Sequence, residues 1–399
     1  MNKVLLLIVT GMPGLHKLIF FFLIEHFVAL NVFGKFSNDY YIVQMFLIFN
    51  ALGFIGMLMI KIPKYTTEYI KEYIQKVIIT FLFFAILSIP FFIILQALNL
   101  IFDSFDSFIL LLGMGGNLLV RYYYLALKKY TIVFIYDLYV LIILSLGIYY
   151  LIHIVSPIIL VALGYLSSFF LFCIIKKVPL NYHFIDMADL KKSFDISTIN
   201  FLSAGVYLLL IPLVNKKLGI DYAGLLGIIS VISTTMLLIP RALSLYFLPD
   251  LSKHITNKNK LLSMYKNFSF INITSLLLLL LLSLVILFCI EAYFHMKSFN
   301  LEYSELLYIL FMLSVLVSQL ALPASNLLLA LEKTKLLTKV NFYLVLCYFF
   351  SYMLLSMIKG IDAYSFVYIT IIIMIIGNFI RFLILNYYVN INLKNLEEV

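Results

Sequence analysis

The first apolar segment of the chain, residues 4–31, holds several ionisable side chains. They are His16, Lys17, Glu25 and His26. A charged side chain at the centre of a bilayer costs roughly 2.5–3.5 kcal/mol on insertion scales, so such groups usually face a protein interior or a watery cavity. Pro13 precedes them, and because proline removes a backbone donor and clashes with the preceding turn, a kinked helix is predicted. A kinked helix that carries charges indicates a solute pathway.

Lys17 and Glu25 are the first candidates for contacts with a solute. Glu25 follows Lys17 by eight residues, which places it about 12 Å further along an ideal helix and only partly on the same face. Lys17 therefore has partners on other helices, faces a hydrated cavity that anions use, or extends to the membrane interface. Glu25 is a candidate for binding a coupling cation or proton, or it is hydrogen-bonded to a neighbouring helix. His16 and His26 project from different faces, so no metal site is expected.

Arg121 and Asp137 form a second candidate group. They lie at equal distances from a turn at residues 128–130, so an antiparallel hairpin brings them to one depth and predicts that they pair. Pairing removes most of the cost of burial, which favours a structural contact. Substrate contact by Arg121, ion coupling by Asp137 and extension of Arg121 to the interface stay open as alternatives.

Arg381 and Asn200 are two further candidate substrate contacts. Arg381 lies within the last apolar segment and either lines a pathway or extends to the interface. Asn200 opens a polar, breakable segment that contains Pro212 and matches the first segment in position. Small and polar residues of this kind also pack helices together in membranes.

The composition is that of an integral membrane protein. Of 399 residues, 64% are hydrophobic and 12% are charged, whereas charged residues make up about a quarter of soluble domains. The net charge of +9 is explained by membrane orientation, so no nucleic-acid partner is expected.

Three single cysteines show no disulfide or metal spacing. The sequence contains neither a glycine-rich nucleotide loop nor a readable nucleophile and base set, so neither a cofactor nor an enzymatic activity is expected.

A helix needs about 20 apolar residues to cross the hydrocarbon core, and this length divides the chain into about twelve transmembrane segments. They are residues 4–31, 41–60, 77–97, 108–127, 131–152, 157–175, 197–214, 222–247, 268–290, 304–330, 341–358 and 364–388. Of the 28 Lys and Arg residues, Lys17, Arg121 and Arg381 lie deep within segments and five lie on one side (Lys35, Lys216, Lys217, Lys297 and Lys359). This leaves twenty on the side of the N-terminus, including Arg241 near the end of the eighth segment. Basic residues concentrate in cytoplasmic loops, so both termini are predicted to be cytoplasmic.

The polar connection after the sixth segment predicts two six-helix lobes, residues 1–192 and 193–399. An internal repeat supports this division, because Leu-Ala-Leu-Lys-Lys at residues 125–129 matches Leu-Ala-Leu-Glu-Lys at residues 329–333. Six segments separate the two copies, so both have the same orientation in the membrane. The predicted fold class is an all-α polytopic membrane protein with about 12 transmembrane helices in two lobes.

Three stretches carry a resemblance to a known family. They are Asn-Val-Phe-Gly with Tyr-Tyr-Ile-Val at residues 31–34 and 40–43, Tyr-Phe-Leu-Pro-Asp-Leu-Ser at residues 246–252, and Asn-Leu-Leu-Leu-Ala-Leu-Glu-Lys-Thr-Lys at residues 326–335. With twelve segments and short outer connections, the chain resembles Wzx-type polysaccharide flippases of the multidrug/oligosaccharidyl-lipid/polysaccharide (MOP) exporter superfamily. The resemblance implies two lobes around a cationic cavity, lined by the first and seventh segments, that opens alternately to each side.

The resemblance also implies a substrate and partners. The substrate would be an undecaprenyl-diphosphate-linked oligosaccharide, the repeat unit of lipopolysaccharide O-antigen or of capsule, moved across the bacterial plasma (inner) membrane. Membrane lipid, a polysaccharide polymerase and a chain-length regulator would be its partners. Lys17, Arg121 and Arg381 would supply cationic surface for the diphosphate.

Two other functions remain as alternatives. A cation-coupled drug antiporter of the same superfamily would use Glu25 or Asp137 as its coupling carboxylate, and fold alone does not fix the substrate. An O-antigen polymerase is disfavoured, because a large outer loop carrying arginines would be expected and the predicted outer connections are short.

Overall fold

A computed structural model describes residues 2–64, 66–176, 183–254, 257–358 and 360–395, and all regular structure in these ranges is helical. Within them, eleven helical runs are long and apolar enough to cross a membrane. The predicted all-α polytopic membrane fold is confirmed.

The first compact unit, Met1–Ile228, is built around one central helix. Its helices are α1 (Asn2–Phe27), α2 (Leu30–Leu47), α3 (Gly53–Lys61), α4 (Thr67–Leu87), α5 (Ile89–Ala97), α6 (Ser104–Ala126), α7 (Tyr130–Leu151), α8 (Pro157–Lys176), α9 (Met187–Asn200), α10 (Val206–Leu208), α11 (Leu210–Leu218) and the start of α12 (Ile220–Met236). Helix α6 packs most extensively on α8 and also contacts α2, α3, α4, α5 and α7. A Cβ at Gly113 would lie 2.6 Å from the carbonyl oxygen of Ala162 on α8. Small residues thus allow the two backbones to approach closely, as in other membrane helix pairs.

The interval between the first two predicted segments, residues 32–40, is helical rather than a connection. Helices α2 and α3 join through a π-helical turn into one run, Leu30–Lys61. Asn38 and Asp39 have the character of turn residues, but both are buried and hydrogen-bonded. Asn38 Nδ2 donates to Asp39 Oδ1 at 3.0 Å, and the backbone N–H of Phe102 donates to Asp39 at 3.0 Å. Because these partners satisfy the polar groups, the helix continues through them.

The predicted seventh segment, residues 197–214, is divided into shorter pieces. It comprises the end of α9, a π-helical turn at Phe201–Gly205, α10 and α11. The helix breaks at Leu209, because Pro212 has no N–H to donate to the carbonyl of the residue four positions earlier. The predicted breakable character of this segment is confirmed.

The second compact unit, Ile229–Val399, contains the remaining helices. They are the end of α12, α13 (Leu238–Lys253), α14 (Lys258–Cys289), α15 (Ser304–Gln319), α16 (Leu322–Ala330), α17 (Thr334–Met357) and α18 (Ala363–Asn395). Helix α18 packs on α15, α16 and α17, and α13 packs on α14 and α16. The rings of Phe247 on α13 and Phe268 on α14 stack with their centroids 4.6 Å apart.

The predicted lobes, residues 1–192 and 193–399, differ in their boundary from these compact units. The predicted boundary falls within α9, and residues 177–182 of the predicted linker lie outside the described residues. The division into two six-helix lobes stays a prediction.

Candidate functional site

Lys17 is buried between α1 and α2, with 7% of its surface exposed. Its Nζ donates a hydrogen bond to Gln44 Oε1 at 3.2 Å. The same atom lies 4.3 Å from the ring centroid of Tyr41 and 5.1 Å from that of Tyr40. An aromatic face attracts a cation through its quadrupole, so these contacts offset part of the cost of burying an ammonium ion. We refer to Phe21, Tyr40, Tyr41 and Gln44 as the Lys17 cage.

The geometry of the Lys17 cage follows from residue spacing on α2. Tyr40, Tyr41 and Gln44 lie within about one helical turn, so they present one surface to α1. Gln44 Nε2 donates to the Tyr40 hydroxyl at 3.3 Å, and the Tyr41 hydroxyl donates to the carbonyl oxygen of Gly227 at 3.0 Å. Phe21, one turn after the lysine, packs edge-on against both tyrosine rings. Since the hydroxyls and rings are held from several sides, the cage is preorganised around its cation.

Arg121 and Asp137 form a second buried cluster, at the proline of α1. Pro13 has no N–H, so the carbonyl of Val9 lacks its usual partner within the helix. The guanidinium of Arg121 donates to this carbonyl oxygen. Arg121 Nε also lies 3.3 Å from Asp137 Oδ2, and the two residues are only 5% and 2% exposed. The predicted Arg121–Asp137 pair is therefore present, and the same arginine ties α6 and α7 to the proline turn of α1.

His16 lies beside this cluster, on the turn of α1 that follows Pro13. It is buried, and its side chain lies close enough to Arg121 to interact with it electrostatically. Its Nε2 has no hydrogen-bond partner among the described residues. His26 is exposed, so the two histidines project differently, as predicted. In the described parts of the chain, no three His, Cys, Asp or Glu side chains converge as a metal site requires.

Helix α2 is fixed to α11 and α12 along the side that leads to the Lys17 cage. A Cβ at Gly34 would lie 2.1 Å from the carbonyl oxygen of Ile220, so the backbones of α2 and α12 are in close contact. Asn215 Nδ2 on α11 donates to Asn38 Oδ1 at 3.1 Å. Because Tyr41 also bonds to α12, movement of α12 relative to α2 would displace a wall of the cage.

The sequence matches no family model and no curated protein, whereas its fold matches solved structures. An inward-facing multidrug resistance MATE family transporter of the MOP superfamily superposes with a TM-score of 0.68 at 11% identity, over 96% of each chain. The chain has the fold of MATE-type transporters. The lipid II flippase MurJ, in an inward closed conformation, gives a TM-score of 0.66 at 17% identity, over 98% of this chain and 89% of that one. A eukaryotic MATE transporter, AtDTX14, gives 0.60 at 12%, over 100% and 96% of the two chains.

Within this MATE-type fold, the predicted site residues occupy separate places. Glu25 is 4% exposed near the end of α1. Asn200 is half-buried at the end of α9, and Arg381 is half-buried on α18 in the second unit. The structure brings Arg121 and Asp137 into contact, while Lys17 has its own cage. The roles of these residues as substrate or ion contacts stay predictions.

The structure also shows contacts to Lys17 that were not predicted from the sequence. Gln44 supplies the amide oxygen to Lys17, and the Tyr40–Tyr41 pair supplies its aromatic faces. The available signal was a polar glutamine one turn after two tyrosines inside an apolar run. That signal identifies a polar position, but only packing identifies Lys17 as its partner.

Proposed function

We propose that this protein is a flippase that moves a polyprenyl-diphosphate-linked oligosaccharide across the bacterial plasma membrane by alternating access. The substrate is a repeat unit of O-antigen or capsule, both termini are cytoplasmic, and the lobes 1–192 and 193–399 move against each other. The MATE-type fold supports a transporter, and a lipid II flippase among the structures that share it indicates that the fold accommodates a lipid-linked sugar. A polymerase and a chain-length regulator would receive the product.

The observation that carries this proposal is the burial of Lys17 in a cage of aromatic and amide groups. A diphosphate needs a cation and hydrogen-bond donors in order to leave water. The amide oxygen of Gln44 is a neutral acceptor, and a diphosphate oxygen forms a stronger charge-assisted bond with the same ammonium ion. A substrate phosphate can therefore replace Gln44 as the partner of Lys17. Tyr40 and Tyr41 then offer flat faces next to the bound headgroup.

The other candidate residues take different parts in this proposal. Arg121 keeps the proline turn of α1 in position, so it sets where Lys17 lies rather than competing for substrate. Arg381 and Asn200 are proposed as further contacts for the diphosphate and the sugar. Glu25 and Asp137 are proposed as sites where a coupling cation or proton binds.

The test is complementation with Lys17→Ala after deletion of the gene in its host. Surface polysaccharide should fall at least about tenfold, as expected when a charged hydrogen-bond partner is removed, and lipid-linked repeat units should accumulate on the inner leaflet. Lys35→Ala is the matched control, because it removes an exposed lysine from the neighbouring helix α2 and should leave polysaccharide unchanged. Both variants are first compared with wild type for membrane insertion.

A cation-coupled drug antiporter is the second candidate function. It is favoured by the multidrug MATE transporters that share this fold, one of which was solved in complex with a bound small molecule. Two results together would replace the flippase by the antiporter as the assigned function. Gene deletion would leave polysaccharide intact, and the purified protein would export a cationic dye in exchange for a coupling cation.

A further inference from the structure

The second unit contains a cavity of about 250 Å³ beside the break between α15 and α16. Its walls include Lys266, Ser269 and Ile273 on α14, Leu320 at the break, and Phe382 and Asn386 on α18. These residues have a regular arrangement, because Ser269 and Ile273 are one helical turn apart, as are Phe382 and Asn386. Helices α14 and α18 thus each present a row of side chains to the cavity.

The cavity exists because the helix between these rows is interrupted. Pro323 cannot donate to the carbonyl of Gln319, so α15 ends there and α16 begins at Leu322. Asn272, which is fully buried on α14, donates its Nδ2 to the freed oxygen of Gln319 at 3.0 Å. This bond holds α14 at the break and keeps its neighbour Ile273 at the cavity. Irregular backbone at membrane depth is tolerated where it is satisfied by protein or lines a cavity.

One end of the cavity is positively charged. Lys266 is exposed at the cavity, and none of the residues that line the cavity is acidic. The hydroxyl of Tyr265 donates to Asn386 Oδ1, and Asn386 Nδ2 donates to the carbonyl oxygen of Phe382 at 2.7 Å. These bonds tie the α18 wall to α14 beside the lysine, and the charge of Lys266 suits this end to an anion.

The other end of the cavity is apolar and opens outward. Ile273 is 43% exposed, and it belongs to a helix that is long and apolar enough to cross a membrane. It lies seven residues from Lys266, about 10 Å along the helix axis. Leu320 and Phe382 continue the apolar surface. The cavity thus has a cationic end and an apolar end that lie about 10 Å apart along α14. A lipid headgroup and the first carbons of its chain are separated by a similar distance.

We propose that this cavity binds the headgroup end of a polyprenyl diphosphate lipid. The diphosphate contacts Lys266 and Ser269, and the first isoprene units lie along Ile273, Leu320 and Phe382. Its volume of about 250 Å³ is below the roughly 300–1,000 Å³ of pockets that enclose whole drug-sized ligands, so one end of the lipid enters while the remaining chain stays in the bilayer. The proposal rests on the proposed flippase function and adds a docking site, at the predicted cytoplasmic end of α14, for substrate arriving from the inner leaflet.

The experiment is photolabelling of the full chain in nanodiscs with a diazirine-bearing polyprenyl diphosphate, with the labelled residues located by mass spectrometry. Labelling at the cavity should fall about tenfold in Lys266→Ala, as expected for the loss of a charged contact. Ile273→Trp should reduce it similarly by filling the apolar end. Lys260→Ala is the matched control, since it removes an exposed lysine from the same helix end. Lys266→Ala changes an exposed side chain and keeps the test valid if Ile273→Trp fails to fold.

Competition identifies the ligand. Unlabelled polyprenyl diphosphate should displace the probe, whereas phosphatidylglycerol and inorganic pyrophosphate at equal concentration should not. Equal labelling of wild type and Lys266→Ala, or equal displacement by phosphatidylglycerol, overturns the proposal. Normal transport without labelling at the cavity refutes the docking site alone, and labelling at the cavity without any oligosaccharide transport refutes the flippase function alone.

Discussion

Arg121 satisfies two buried groups that would otherwise lack partners. Its guanidinium donates to the carbonyl of Val9 that Pro13 leaves free, and it pairs with the carboxylate of Asp137. Removing one member of a buried ion pair costs far more than replacing both members, because the remaining charge stays in a low dielectric. The arginine therefore fixes the shape of α1, the helix that carries Lys17.

A double-mutant cycle between Arg121→Ala and Pro13→Ala tests whether the arginine compensates for the proline. Arg121→Ala should destabilise the protein by about 3–5 kcal/mol, because Asp137 stays buried without its cation. In the Pro13→Ala background, residue 13 can donate to Val9, so the loss should be smaller by about 1 kcal/mol, the value of one hydrogen bond. Unfolding free energies of the four proteins in detergent measure both effects. An identical loss in both backgrounds would show that Arg121 does not compensate for the proline.

Helix packing in the first unit depends on close backbone contact between elements distant in sequence. On α3, a Cβ at Gly53 would lie 2.3 Å from the carbonyl oxygen of Ser193 and 2.5 Å from Ser197 Oγ on α9. Lys61, at the end of α3, forms an ion pair with Asp189 of the same partner helix. The small residue thus sets the interhelical distance, and the ion pair fixes the register at one end.

Gly53→Ala tests the close contact between α3 and α9. The added methyl group should cost about 1–3 kcal/mol, because the backbone of α9 must shift to accept it. Gly147→Ala is the matched control, since a Cβ there meets no atom within 4 Å and alanine gains up to about 1 kcal/mol in helix propensity. Thermal unfolding midpoints compare the two variants. If both substitutions have the same effect, the α3–α9 contact is not tightly packed.

The distribution of basic residues along the whole chain predicts one orientation in the membrane. Lys129 belongs to the side with twenty basic residues, and Lys297 to the side with five. The positive-inside rule predicts that the first side is cytoplasmic. The proposed direction of transport, from the inner to the outer leaflet, has meaning only with this orientation.

Labelling of single cysteines tests the orientation. In a variant without Cys173, Cys289 and Cys347, Lys297→Cys should react with an impermeant maleimide in intact cells. Lys129→Cys should react only after the membrane is permeabilised. Both lysines are exposed, so burial does not limit the reaction. The opposite labelling pattern would reverse the assigned sides.

The membrane class, the helical fold and the Arg121–Asp137 pair could be predicted from the sequence. Each of these depends on local quantities: the length of apolar runs, and equal spacing from one turn. The break at Pro212 also follows locally, from a missing N–H donor. Three features depend on how the helices pack: residues 32–40 are helical, Gln44 accepts a hydrogen bond from Lys17, and Arg121 donates to the carbonyl of Val9. Those contacts join positions far apart in the chain, where helix packing selects which polar groups satisfy one another.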